Sequence, residues 1–445
     1  MTTKPHPRLL ALLRSRIVVV CALTFAVSLV VLGAMNRPGG AASEGAAPVA
    51  LEPPGRAAST DDRIRYLQRL IDASPKATGT WSTLGLTYLQ KARETGESGF
   101  YVRAQGALDR ALRRDSGDAA AVIGMGQLAL VRHDFRAALR WGRRARRLAP
   151  ESVRTYPVLV DALVELGRHE EAGRVLQQMI DLEPNLAGYA RASYLRELHG
   201  DLEGAVEAMR LAVSAGGGAP ENVAYVEALL GGLQFDRGNF RDARRAYRRA
   251  LARFEDYPPA VAGLAEVDAA RGELDAAIER YQALVDRLPL PGYAIALGEA
   301  QLAAGRGEAA RETFALVEVQ QRLLERNGVN SDVELAIFQA DHGSPARAVR
   351  LARSAWSAAP SVRSADALGW ALTRAGRADD GLRWTRRALK LGWREPTVLY
   401  HTGMAARAAG ERDEAVALLE NALERNARFS PWHAPKARDA LEELR

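Results

Sequence analysis

The sequence predicts an all-α solenoid of about ten helix–turn–helix repeats, and three observations predict it. Glycines recur at Gly167, Gly200, Gly238, Gly272, Gly305, Gly343, Gly376 and Gly410, with spacings of 33, 38, 34, 33, 38, 33 and 34. A period near 34 is that of a stacked helix-pair array. Five residues after each glycine stands a small residue: Ala172, Ala205, Ala243, Ala277, Ala310, Ala348 and Ala415, with Gly381 in the same role. No segment carries a strand signal. A chain of 445 residues exceeds the about 100–200 residues of one ordinary core. A solenoid escapes that limit, because each repeat packs only on its neighbours.

Four regions follow in order. Residues 1–16 are basic, with Lys4, Arg8, Arg14 and Arg16 and no acid. Residues 17–35, Ile17 to Met35, are 19 residues without a charge. As a helix they span roughly 28 Å, one hydrocarbon core. Basic residues before the run and only Arg37 closely after it put the N-terminus in the cytoplasm and the rest outside. Cleavage of the run as a signal peptide is the rival reading, with small residues Gly40 and Ala42 near a possible site. Residues 36–60 are rich in Gly, Ala and Pro and read as a flexible linker. Residues 61–445 form the array, opened by a lone helix over Asp61–Ser74 capped by Thr60 or Asp61, with Ile64, Leu67, Leu70 and Ile71 on one face. A second capping helix closes it over Ser430–Arg445, with Ala437, Leu441 and Leu444 on one face. Pro150, Pro184, Pro289 and Pro360 stop second helices.

The repeats resemble the tetratricopeptide repeat. Trp81, Leu84, Gly85 and Tyr88 open the first unit. Gly126, Phe135, Ala138, Ala145 and Pro150 mark the second, and Gly231, Gly238, Ala243, Tyr247 and Ala250 mark the fifth. Leu368, Gly369, Gly376 and Ala388 mark the ninth. The resemblance runs from about Trp81 to Glu443 and implies a right-handed superhelix. It is most similar to the bacterial, single-pass, membrane-anchored type. Three units depart from the pattern: an insertion after Tyr88, a glycine run at 216–218, and a second helix extended to about Asn327.

The net charge is +7, but residues 1–40 hold five bases and no acid, which leaves +2 for the rest. The array is nearly neutral, so a nucleic-acid partner is not expected. The single cysteine, Cys21, lies in the apolar run, so neither an intrachain disulfide nor a cysteine metal site is available. No catalytic constellation, cofactor motif or metal site is expected. His133, His169, His199 and His342 sit at turns on different repeats, whereas metal ligands must converge to about 2.0–2.2 Å from one ion; they read as solvated. Arginine runs in second helices (Arg143, Arg144, Arg146, Arg147; Arg244, Arg245, Arg248, Arg249; Arg386, Arg387) read as a solvated convex face. Contact with anionic headgroups is the sharper alternative.

In the family, four positions of each first helix line a concave groove. The resemblance places Ile123, Leu130, Tyr194, Phe235, Ile295, Leu302, Val333, Ile337, Trp370, Tyr400 and Met404 there. Charged members are fewer: Arg154, Asp161, Glu197, Glu266, Glu299, Arg363, Asp366 and Arg407. The Lys/Asn carboxylate clamp of chaperone-binding relatives is absent. An apolar, aromatic groove suits a hydrophobic or helical segment of a protein partner; packing of the same residues between repeats is the other reading. The expected function is a non-enzymatic scaffold of the bacterial cytoplasmic membrane, its array facing outward, that assembles or escorts cell-envelope proteins. An accessory subunit of a membrane transport or cofactor/metal-assembly system, and a secreted binder after signal cleavage, are the alternatives. The sequence does not set the oligomeric state.

Overall fold

The computed structural model describes residue 55 and residues 58–76, 78–216 and 219–445. The expected basic N-terminus and transmembrane segment, and most of the linker, lie outside the described residues. Among those described, no helix is long and apolar enough to cross a membrane.

Twenty-two α-helices make up the described chain, with one 3-10 turn at Val153–Thr155 and no strand. The first, α1 (Thr60–Ala73), is a cap. Ser59 rather than Thr60 or Asp61 closes its N-terminus: the Ser59 hydroxyl accepts from the Asp62 amide at 3.1 Å while the Asp62 carboxylate accepts from the Ser59 amide at 3.2 Å, a reciprocal capping box. Its Ile64, Leu67 and Ile71 are buried. Ten helical hairpins follow. They are α2 (Thr78–Thr95) with α3 (Gly99–Arg114), α4 (Ala119–Val131) with α5 (Phe135–Leu148), α6 (Tyr156–Glu165) with α7 (His169–Leu182), and α8 (Leu186–Leu198) with α9 (Leu202–Ala215). Next come α10 (Pro220–Asp236) with α11 (Phe240–Arg253), α12 (Pro258–Ala270) with α13 (Leu274–Arg287), and α14 (Pro291–Ala303) with α15 (Gly307–Arg326). The last three are α16 (Asp332–His342) with α17 (Pro345–Ala358), α18 (Val362–Arg374) with α19 (Ala378–Leu389), and α20 (Pro396–Ala408) with α21 (Arg412–Arg425). A final cap, α22 (His433–Leu444), buries Ala437 and Leu441.

Local chemistry sets these limits. Pro150, Pro184, Pro289 and Pro360 each stand two residues past the end of a second helix. Pro220, Pro258, Pro291 and Pro396 open first helices, where a missing amide hydrogen costs nothing. The alanines that follow the turn glycines are sealed: Ala172, Ala205, Ala243, Ala277, Ala310, Ala348 and Ala415 are all 0% exposed, where a larger side chain would hold the crossing helices apart. Seven of the eight predicted turn glycines lie in the left-handed region; Gly343 does not, with φ −135°. There the turn is short, and the Gln339 side chain accepts from the Ser344 amide at 3.0 Å. In the second hairpin, which lacks the glycine, His133 takes the left-handed position with φ 58°.

The superhelix is wound tightly enough for its turns to touch, and the touching is periodic. Each of the first five hairpin turns meets the junction that follows the hairpin five places on. Gly96 leans on Leu288, whose side chain is 2.3 Å from where a Cβ would stand. His133 Nδ1 lies 2.5 Å from the Asn330 carbonyl. Gly167 faces the Pro360 carbonyl and Gly200 the Gly392 carbonyl, each so closely that a Cβ would stand 2.5 and 2.6 Å from the oxygen. Beside Gly238, the Asn426 side chain donates to the Phe235 carbonyl at 2.8 Å. Further bonds join the same levels: Arg136 to the Ser357 and Ala358 carbonyls, Asn327 to Ser98, and Arg428 to the Ala270 carbonyl.

Candidate functional site

The eleven residues expected in a concave groove divide among five separate cores, Leu302 standing half-buried outside them. Ile123, Phe235, Trp370 and Tyr400 are sealed, at 6%, 3%, 2% and 2% exposure, so in this structure they pack between helices rather than line an open surface. Trp370 stacks on His401 with centroids 4.5 Å apart and donates to Asp341 at 3.1 Å. Tyr400 packs on Phe429 and His433. Leu130 and Tyr194 are half-buried against one core; Ile295 sits beside another. Val333, Ile337 and Met404 lie against the core that holds Trp370. They form no continuous apolar strip.

Carboxylates occupy the inner face instead. Glu165 (α6), Glu197 (α8), Asp236 (α10), Glu266 (α12) and Glu395, just before α20, are half-buried there. Glu197, Asp236 and Glu395 line one small cavity together with Arg394 and Arg425. Burial, then the charges of Glu395, Glu197 and Glu266, push Asp236 well above the usual carboxylate range. Burial lifts Glu197 to about 7, with Arg363 pulling back, and burial with Glu395 lifts Glu266 to about 7. Crowding of like charge in a low-dielectric setting favours the neutral acid. Arg363 is the cation that Glu165, Glu197, Asp236 and Glu395 feel in common, and Glu266 does not share it; its Nε donates to the Tyr194 hydroxyl at 3.0 Å, and its guanidinium lies over the Tyr194 and Trp393 rings at 5.7 and 5.4 Å.

Beside this group opens a cleft of about 500 Å³ formed by α10 to α14. Four tyrosines line it: Tyr225, Tyr247, Tyr281 and Tyr293, with Glu266. Tyr225 and Tyr293 come from first helices. Tyr247 and Tyr281 come from the second helices α11 and α13, and Tyr247 reaches inward because the first helices beside it give way. At Gly231 and Gly263 a Cβ would stand 2.4 and 2.2 Å from the Tyr247 ring; only glycine lets that ring pass between α10 and α12. Burial raises Tyr247, Tyr281 and Tyr293, pushing the last to about 12, so these three keep their protons. The cleft shares Pro259, Leu290, Gly292 and Tyr293 with a second, of about 350 Å³, that runs on toward Leu324 and Val329.

Two of the four histidine turns meet, His169 packing edge-on against His199 with ring centroids 6.3 Å apart. His133 and His199 are exposed, whereas the His342 side chain is only 5% exposed and bonds Glu299 at 3.0 Å. Among the described residues, no group of three or more His, Cys, Asp or Glu is arranged to hold a metal ion. Second-helix arginines are in large part paired: Arg244 and Arg280 with Asp268, Arg249 with Glu227, and Arg386 with Glu414. The inner carboxylates could be found only in part from sequence. Glu197 and Glu266 fall on the family's groove positions; Glu165, Asp236 and Glu395 do not. Nothing in the repeat pattern points a second-helix tyrosine inward.

Three segments of the chain match models of the tetratricopeptide repeat: residues 89–153, 234–295 and 397–427. The chain carries these repeats. Among solved structures, it is similar to TTC0263, a thermophilic TPR protein of Thermus thermophilus, with 21% identity over 47% of this chain and 100% of that one, at TM-score 0.36. It is similar to human IFIT1, solved as a dimer with PPP-AAAA, with 15% identity over 82% and 86% of the two chains at TM-score 0.45. It is also similar to YrrB, a TPR protein with an unusual peptide-binding site, with 18% identity over 44% and 95% at TM-score 0.27. No curated protein matches significantly.

Proposed function

We propose that this protein is a non-enzymatic scaffold that holds an extended segment of a partner protein against the inner face of its superhelix. The observation that carries this reading is the paired cleft of α10 to α14, open, lined by aromatic and carboxylate groups, and built on first and second helices of consecutive repeats. The ladder of contacts between superhelical turns supports it too, because a site fixed on a braced frame loses less freedom when it binds. The apolar run Ile17–Met35 tethers the array to a bilayer, so that anchoring raises the effective concentration of membrane-bound partners.

A photoreactive benzoylphenylalanine at Tyr225 or Tyr293, compared with one at the exposed Val102 of α3, tests the binding surface in cells. Protein adducts from the two cleft positions and none from Val102 are expected; the same adducts from all three, or none, would reject it. Carbonate extraction of membranes tests the tether: the full chain stays in the pellet, and a chain lacking residues 1–40 moves to the supernatant.

A further inference from the structure

We propose that the four-tyrosine cleft of α10 to α14 is a site for an organic cation, and that the cation is an arginine or lysine side chain of the extended partner segment. This rests on the scaffold reading above and names the chemistry of its partner.

The argument begins with a contrast inside one helix. Asp268 of α12 has two arginines, Arg244 at 2.5 Å and Arg280 at 2.8 Å. Glu266, two residues earlier, has no ion pair or hydrogen bond among the described residues, and no lysine or arginine lines its cleft. Glu227 of α10 likewise has Arg249 in a forked pair at 2.9 and 3.1 Å. Toward the outer helices the acids of this region are matched; in the cleft the acid is left over. The tyrosines repeat the pattern. Tyr247 and Tyr281 are 3% and 7% exposed, yet neither hydroxyl has a hydrogen-bond partner among the described residues, and neither oxygen is among the sealed, unsatisfied atoms. Their rings are packed away and their hydroxyls face the cleft. These two hydroxyls, open to the cleft, and one unpaired carboxylate offer acceptors to a ligand that brings hydrogen-bond donors.

Each candidate ligand can be weighed against that description. A bare metal ion needs converging carboxylates or imidazoles, and no such group exists among the described residues. A leucine-like side chain would bury Glu266 and both hydroxyls without partners. A quaternary ammonium would use the ring faces but donate nothing to the oxygens. A guanidinium or a primary ammonium does both: it lies over tyrosine faces and donates to the carboxylate and hydroxyls. The volume, about 500 Å³ with a further 350 Å³ adjoining, exceeds one side chain and leaves a path for the backbone that carries it.

The test is fluorescence polarisation on the full-length protein with four labelled peptides of alternating Gly and X, where X is Arg, citrulline, Leu or Glu. Citrulline keeps the shape of arginine and removes its charge. The expected result is binding of the Arg peptide at least tenfold tighter than its citrulline counterpart. Glu266→Gln and Tyr225→Leu, each folded by circular dichroism, should weaken it at least fivefold. Tyr225 is 46% exposed, so its loss leaves the core intact. Equal binding of Arg and citrulline peptides overturns the proposal, as does unchanged binding in both variants. Displacement by choline as effective as by acetyl-arginine amide would make the occupant a quaternary ammonium and overturn it as well. Binding of the Leu peptide alone would reject the cation and leave the scaffold standing. Failure of all four peptides would reject both.

Discussion

Gly263→Ala is the substitution whose outcome depends most directly on the packing described here. Gly263 lies in the middle of α12, where alanine should help by about 0.5–1 kcal/mol through helix propensity alone. The new methyl, however, would stand 2.2, 2.3 and 2.6 Å from Cζ, Cε1 and Cε2 of Tyr247, well inside contact distance. The ring cannot slide away along its normal, because Gly231 approaches its other side as closely, with a Cβ there 2.4 Å from Cε1. Overpacking of this kind costs about 1–3 kcal/mol, so the net is a loss of about 1–2 kcal/mol. Gly173→Ala in α7 is the matched comparison: exposed, mid-helix and with no atom within 4 Å of the added carbon, it should gain about 0.5–1 kcal/mol. Because repeat arrays need not unfold in one step, the urea midpoint by circular dichroism should be read together with hydrogen exchange in α10–α12. In a Tyr247→Ala background the Gly263→Ala loss should vanish, and the pair should be strongly non-additive. A Gly263→Ala protein as stable as its parent, while Gly173→Ala gains, would refute the account of the ring threaded between two glycines.

Four further outcomes are expected. Glu266 is raised to about 7 by burial and by Glu395. A folded-state pKa above the unfolded value of about 4.3 makes the ionised acid destabilising, so stability declines as pH rises through that interval; Glu266→Gln should raise the melting temperature at pH 8 and leave it unchanged at pH 4. Burial lowers His401 but Asp366, bonded at 2.9 Å, and then Asp341 outweigh it and raise it. The stability this contributes is complete below about pH 6.5 and is lost as pH rises through the folded value, so the difference between parent and His401→Gln in urea midpoint should shrink from pH 6 upward. Arg249→Ala strands the Glu227 carboxylate, which is 2% exposed, and should cost about 2–3 kcal/mol, more than Glu227→Gln in the same urea titration. Asn426→Ala removes a buried bond between superhelical turns while the Phe235 carbonyl keeps the Gly238 amide as a donor, so the cost should be about 0.5–1.5 kcal/mol; hydrogen exchange should quicken at the α10–α11 turn, about 190 residues away in sequence, where a purely local effect would leave it unchanged.

The repeats were legible because their signals are local. A turn glycine and an alanine five residues on report the geometry of one hairpin, and Ala172 through Ala415 are sealed where that geometry requires it. His133 shows the limit of the rule: the second hairpin makes the same left-handed turn without a glycine. The winding was not legible. A period near 34 states how each repeat meets the next, whereas the meeting of Gly200 with Gly392 follows from a small rotation accumulated over five repeats, which no residue encodes by itself. The inner face was legible only in part for a related reason. Face alone does not settle exposure: Arg363 and Trp370 lie two turns apart on nearly the same face of α18, yet Trp370 is sealed at 2% exposure while Arg363, in the first turn, stays exposed among the acids. The tyrosine cleft was hidden for another cause, since Tyr247 and Tyr281 belong to helices assigned to the convex side, and Tyr247 crosses inward where Gly231 and Gly263 offer no side chain.

The near-neutral sum over the array therefore conceals an ordered separation of charge. In α5 six arginines stand with no acid among them; across the inner face four carboxylates share Arg363 and Glu266 has no cation of its own. Sums of charge govern solubility and long-range attraction, whereas a lined interior focuses the field of the charges that face it. A cationic segment approaching this protein would meet the arginines of α5 on one side and carboxylate in the cleft, so α5 repels it while the cleft attracts it. Raising the salt concentration would weaken both effects at the surface but less so inside, where screening by mobile ions is poorer. The specificity expected of the cleft thus comes from rejection at the wrong face as much as from attraction at the right one.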